Sequence, residues 1–165
     1  MKAVKHPVLA AILLGGLIAS TLDIGCAVLI NGLGPAPILR GIASGLIGTA
    51  VHGSGLPGAL LGLVLQWVMG ILIATIYMAA TTSMPKLRRR WQLSGALAGV
   101  VIYFIMSWLV VPLSAAPFRS QFTLHDMLGA FTPFGAFVEN LLAMVLFGLI
   151  IAYFARNAAP ARAAD

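Results

Sequence analysis

Four long apolar runs organise the chain, at about 8–30, 56–80, 91–111 and 133–154, separated by segments rich in Gly, Pro and basic residues. About 20 apolar residues at 1.5 Å rise cross a hydrocarbon layer of roughly 30 Å, so each run predicts a membrane-spanning helix. Asn31-Gly32-Leu33-Gly34-Pro35-Ala36-Pro37 ends the first run, since Gly and Pro continue a helix only at a cost. The apolar stretch 38–52 is too short to span, and predicts a short helix in the outer interface or a re-entrant piece. Ser54 is a candidate N-cap for span 2, and Pro57 suits its first turn. Thr81-Thr82-Ser83-Met84-Pro85 closes span 2, and Lys86, Arg88, Arg89 and Arg90 follow. Trp91 opens span 3 as an interfacial anchor, and Pro112 stops it. In the loop 113–132, Thr123-Leu124-His125-Asp126 has the form of a capping box, so a short helix is expected to begin at Leu124. Thr132-Pro133 reads as the cap and first residue of span 4. Arg156 and Arg162 lie in a tail of small residues that is expected to be loose. The pattern predicts an all-α, integral membrane four-helix bundle with a short outward-side interfacial or re-entrant helix, as one transmembrane domain over 1–165.

Composition strengthens this reading. Of the 165 residues, 61% are hydrophobic and 8% charged, with four acidic side chains. A soluble domain carries about a quarter charged residues. The formal net charge of +6 would suggest nucleic acid, but the basic residues flank apolar spans, which is the positive-inside signal. The expected partner is the lipid bilayer and not nucleic acid. Lys2, Lys5, Lys86, Arg88, Arg89, Arg90, Arg156 and Arg162 fall on one side, eight in all, against Arg40 and Arg119 on the other. Eight against two places both termini in the cytoplasm and turns 31–55 and 113–132 outward. The first run exceeds the 7–15 residues of a signal-peptide core, so an uncleaved span is expected. Cys26 is the single cysteine, which excludes an intrachain disulfide and reads as a small packed residue.

Each span carries small or polar residues every four positions. Span 1 has Gly15, Ala19, Asp23, Ala27 and Asn31; span 2 has Gly58, Gly62, Gln66 and Gly70. Span 3 has Gly95, Gly99, Tyr103 and Ser107; span 4 has Gly135, Glu139 and Ala143, with Ala136 and Asn140 beside them. Such stripes let helix backbones approach closely in lipid, and packing alone accounts for the glycines. It does not account for the polar residue in each stripe. Asp23 is the most costly, at roughly 3 kcal/mol for a charged side chain in mid-membrane, and is expected to face the bundle interior. At 1.5 Å per residue, Asp23 lies roughly 12 Å, Gln66 about 15 Å, Tyr103 about 13 Å and Glu139 about 9–10 Å below the outer ends of their spans. Asp23, Gln66, Tyr103, Glu139 and Asn140 are therefore expected to converge in the outer half of the bundle. Two neighbouring carboxylates at low dielectric do not both stay ionised easily, so they are expected to share a proton or meet a cation such as Arg40, His52, His125 or Arg119.

The chemistry open to these residues is limited. Asp23 and Glu139 read either as a proton or cation site or as a hydrogen-bonded pair that fixes helix register. Gln66 and Asn140 read as ligand-orienting groups or as interhelical hydrogen bonds. Arg40, His52, His125 and Asp126 are outer-face candidates. His52, His125 and Asp126 suit a metal by type, yet none shows a tight ligand spacing, so no metal is expected. No cofactor is expected either: no span contains a histidine for haem, and Trp67, Tyr77, Trp108 and Tyr153 are expected on lipid or near the interfaces. The Lys86–Arg90 cluster is expected to set orientation and touch anionic lipid heads without taking a specific ligand. Ser20, Ser44 and Ser107 have no base at a recognisable spacing, so the protein is not expected to be an enzyme. Four spans are few for a lone transporter, which leaves a homodimer or a larger membrane complex as the expected assembly. Two functions stay open: proton, ion or small-solute handling, or an accessory or assembly subunit of a larger complex.

Gly15–Ala27 with its Thr21-Leu22-Asp23 core, Ile42-Ala43-Ser44-Gly45-Leu46-Ile47-Gly48 and Val111-Pro112-Leu113-Ser114-Ala115 resemble small, uncharacterised bacterial four-span inner-membrane proteins. More distantly the chain is similar to the YagU-like family. The resemblance covers about Gly15 to Arg156 and implies a bacterial inner-membrane location, with no reaction to carry over. That family often carries a histidine where span 2 here has Gln66, which implies that a metal or proton-relay role at that position does not transfer.

Overall fold

The computed structural model describes residues 7–110 and 134–158, and its regular structure there is entirely helical. In chain order the elements are α1 (Pro7–Asn31), α2 (Pro35–Ile47), a 3-10 turn (Thr49–Gly53), α3 (Leu56–Ser83), α4 (Pro85–Arg89), α5 (Trp91–Ile105) and α6 (Phe134–Asn157). The end of α5 widens into a π-helical turn, Met106–Val110. Four of these segments are long and apolar enough to cross a membrane. The helix expected near Leu124 and the cap expected at Thr132-Pro133 lie outside the described residues.

Local chemistry corrects three expected boundaries. The short helix expected at 38–52 begins at Pro35 and ends at Ile47 before the 3-10 turn. Pro35 is a good first residue, because its fixed φ suits a helix and its missing N–H would be unpaired there anyway. Arg40 consequently lies in the second turn of this helix. Ser54 does not cap α3: the N-cap is Gly55 at φ 63°, and the Ser54 hydroxyl donates to Val51 O at 2.6 Å. Pro57 does occupy the first turn of α3. Gly32 closes α1 at φ 63°, in the left-handed region that costs glycine least.

Small residues form the interior and large aliphatics the exterior. On α3, Gly58, Ala59, Gly62, Gly70 and Ala74 are buried, while Leu60, Val64, Val68, Leu72 and Ile76 are more than half exposed. The two sets are offset by two residues, about 200° around an α-helix, so they occupy opposite faces. Span α5 repeats this with Gly95, Gly99 and Tyr103 inside and Leu93, Leu97, Val101 and Leu109 outside. Soluble monomers do not expose continuous aliphatic faces of this extent, whereas lipid tails meet them without penalty. The architecture is that of a multi-pass membrane protein.

The four spans are not packed symmetrically. α1 packs against α3 on one side and α6 on the other, and α6 packs against α5. Among the described residues α3 and α5 have few contacts, so the ring is loosest between them. Two of the close seams between spans are made by glycine. A Cβ on Gly16 would stand 2.7 Å from Ile71 Cα, and one on Gly70 would meet Ser20 Oγ and lie 2.7 Å from Gly16 O. Across α5 and α6, a Cβ on Gly99 would strike Met144 O, and one on Gly148 would lie 2.6 Å from Gly99 N. α2 leans on α3 at Gly62, where Leu39 O fills the space of the absent side chain.

Candidate functional site

Residues 20–23 of α1 and 66–67 of α3 are tied by three hydrogen bonds. Ser20 Oγ donates to Gln66 O at 3.0 Å, and Trp67 Nε1 donates to Thr21 Oγ1 at 3.1 Å. Gln66 Nε2 donates to Asp23 Oδ2 at 2.7 Å. This last bond gives the mid-span carboxylate a donor on the neighbouring helix. An ionised acceptor makes such a bond stronger than one between neutral groups. The close Gly16–Gly70 contact below brings the two backbones near enough for all three.

Above that seam lies a cavity of about 320 Å³. Asp23 of α1 and Asn140 of α6 both line it, because these two helices pack together. Gln66, Met69 and Ile73 come from α3, and Tyr103 and Ser107 from α5. α3 and α5 have the fewest contacts of any neighbouring spans among the described residues, and the cavity is a cleft lined from both. The π-helical turn begins at Met106, and both Met106 and Ser107 line the cleft. A π turn is wider than an α turn and is frequent at functional sites. Tyr103 is buried, and its ring meets Phe137 edge-on at 5.5 Å, which fixes the phenol between α5 and α6.

Four of the five expected interior residues, Asp23, Gln66, Tyr103 and Asn140, thus line one space. Glu139 does not: it is exposed and outside the cleft. The expected stripe on span 4 was placed one residue too early. The inward face of α6 runs through Asn140, Met144, Phe147, Gly148, Ile151 and Ala155, whereas nothing lies within 4 Å of a Cβ built on Gly135. One residue is 100° around the helix, enough to turn Glu139 out of the bundle. The expected acidic pair is therefore a single carboxylate with amide neighbours.

The outer-face candidates stay apart from the cleft. His52 is exposed on the 3-10 turn, and Arg40 is half-buried on α2, which packs against α3 away from the cavity. His125, Asp126 and Arg119 lie outside the described residues. Among the described residues no three His, Cys, Asp or Glu side chains gather as a metal site.

A second polar cluster was not anticipated. Tyr77, expected at the lipid surface, is buried, and its hydroxyl lies 2.7 Å from Ser94 Oγ. Ser94 Oγ in turn donates to Leu87 O at 2.7 Å. The signal was available, because Tyr77 continues the buried stripe of Gly70 and Ala74. Trp67 is also no plain lipid contact, being bonded to Thr21, while Trp108 and Tyr153 are exposed as expected.

Chemically, the cleft offers one carboxylate, two amides, a phenol and a hydroxyl among methionine and aliphatic walls. Such a set can accept a proton or turn several oxygen atoms toward a small cation. Compared with known proteins, the chain matches no family model, no curated protein and no solved structure.

Proposed function

We propose that this is a non-enzymatic protein of the bacterial inner membrane that handles a proton or a small cationic solute at Asp23. The observation that carries the reading is the setting of that carboxylate. It is held by Gln66 at 2.7 Å, yet it lines an open cleft and is not packed shut. A carboxylate used only to fix helix register has no need of a cavity around it, and intramembrane acids mark ion and proton paths by default. Gln66, Asn140, Tyr103 and Ser107 orient whatever binds. The resemblance to YagU-like proteins supports the bacterial location. The basic residues support cytoplasmic termini: Lys86, Arg88, Arg89, Arg90 and Arg156 lie at one end of the described bundle, with only Arg40 at the other. The test is flux in liposomes under imposed pH and cation gradients. Flux by the wild type that is abolished in Asp23→Asn is the expected result. No flux under any gradient sinks the reading.

A second reading has its own observation. The ring of described spans is loosest between α3 and α5, which leaves an edge for another membrane protein to complete. As an accessory or assembly subunit, the protein would co-purify with a larger complex, and Asp23→Asn would weaken that complex without any flux to lose.

A further inference from the structure

The opposite end of the bundle carries a second concavity of about 630 Å³. Lys86, Arg89 and Arg90 line it from the α4 turn, and Leu93, Ser94 and Leu97 from α5. Its charge is unbalanced. The two described acidic residues, Asp23 and Glu139, lie toward the cleft end, with Glu139 about 25 Å along α6 from Arg156. Close by, Arg88 Nε is buried without a hydrogen-bond partner among the described residues, and the Arg156 guanidinium spends its charge on the Trp91 ring at 5.5 Å. The pocket's cations therefore have no anion on the described protein.

We propose that this pocket binds the phosphate headgroup of an anionic phospholipid whose acyl chains run along Leu93 and Leu97. Cations alone would suit any phosphate. The leucines decide the class of ligand: Leu93 and Leu97 are 55% and 57% exposed and lie four residues apart, on one face leading from the cations into the span. An inorganic anion gains nothing from that wall, whereas an amphiphile fits both halves. Trp91 sets the level, since tryptophan at a span end sits among lipid headgroups. The floor is fixed in advance, because Ser94 is held by Leu87 O and Tyr77, so little ordering is lost when a ligand enters. Two guanidinium groups and an ammonium supply the charge and the donors that a phosphate takes. The site is thus more selective than a diffuse basic surface.

The test is native mass spectrometry of delipidated protein offered equal dioleoyl-phosphatidylglycerol and dioleoyl-phosphatidylcholine. Wild type is expected to retain the anionic lipid about tenfold over the zwitterionic one, and Arg89→Gln with Arg90→Gln to bring the two lipids to nearly equal retention. Arg40→Gln, at the other end, leaves it unchanged. Leu97→Asn weakens retention with every cation in place. Equal retention of both lipids by wild type overturns the proposal, as does undiminished preference in the double variant. Displacement of the lipid by millimolar inorganic phosphate also overturns it, by showing a plain anion site. The wild-type comparison needs no variant to fold, and Lys86→Gln alone gives a milder second substitution.

Discussion

Gln66 Nε2 stands 2.7 Å from Asp23 Oδ2, so an amide on α3 holds the carboxylate of α1 in the wall of the cleft. The two residues are expected to be energetically coupled. Gln66→Leu leaves the carboxylate without its donor and should cost about 1–3 kcal/mol. With Asp23→Leu also in place the loss should be much smaller than the sum of the single losses. Reversible unfolding in mixed micelles measures the cycle, and strict additivity would show that the bond contributes nothing.

The α1–α3 seam depends on two absent side chains. Gly16→Ala puts a methyl 2.7 Å from Ile71 Cα, and Gly70→Ala drives one into Ser20 Oγ. Each should destabilise by about 1–3 kcal/mol, since backbone must move to relieve the overlap. Gly25→Ala is the control: nothing lies within 4 Å of its Cβ, so it should lose no stability and gain up to about 1 kcal/mol from the better helix propensity of alanine. Thermal melts in detergent rank the three, and equal melting temperatures would contradict the seam.

Tyr77 and Ser94 should not be equivalent. Tyr77→Phe removes one hydroxyl and should cost about 1 kcal/mol. Ser94→Ala strips a partner from both the Tyr77 hydroxyl and Leu87 O, so it should cost more. The same melts give the order, and a reversed order would mean that Ser94 is not the centre of the cluster.

Glu139→Gln should change stability by less than about 0.5 kcal/mol, because the side chain is exposed and outside the cleft. Asn140→Leu, one residue on, replaces a polar wall of the cleft and should reduce any flux that depends on Asp23. Flux in liposomes compares them. A Glu139→Gln defect as deep as that of Asp23→Asn would return the acid pair to the mechanism.

The amino-acid pattern alone determined the membrane class, the four spans and the small-residue faces of α1, α3 and α5. Length in apolar residues and a spacing of four need no partner to be read, since hydrocarbon thickness and helix pitch set them. The same pattern could not fix rotation on α6, where Gly135 and Glu139 imitate a packing stripe beside the true one. Only the contact of Gly148 with Gly95 and Gly99 decides which face turns inward, and that contact joins residues about 50 apart in the chain. The loose contact between α3 and α5 is likewise a tertiary fact. Each span is equally able to pack, and the choice of neighbours, which sets whether Asp23 meets a wall or a cavity, is made by all four seams together.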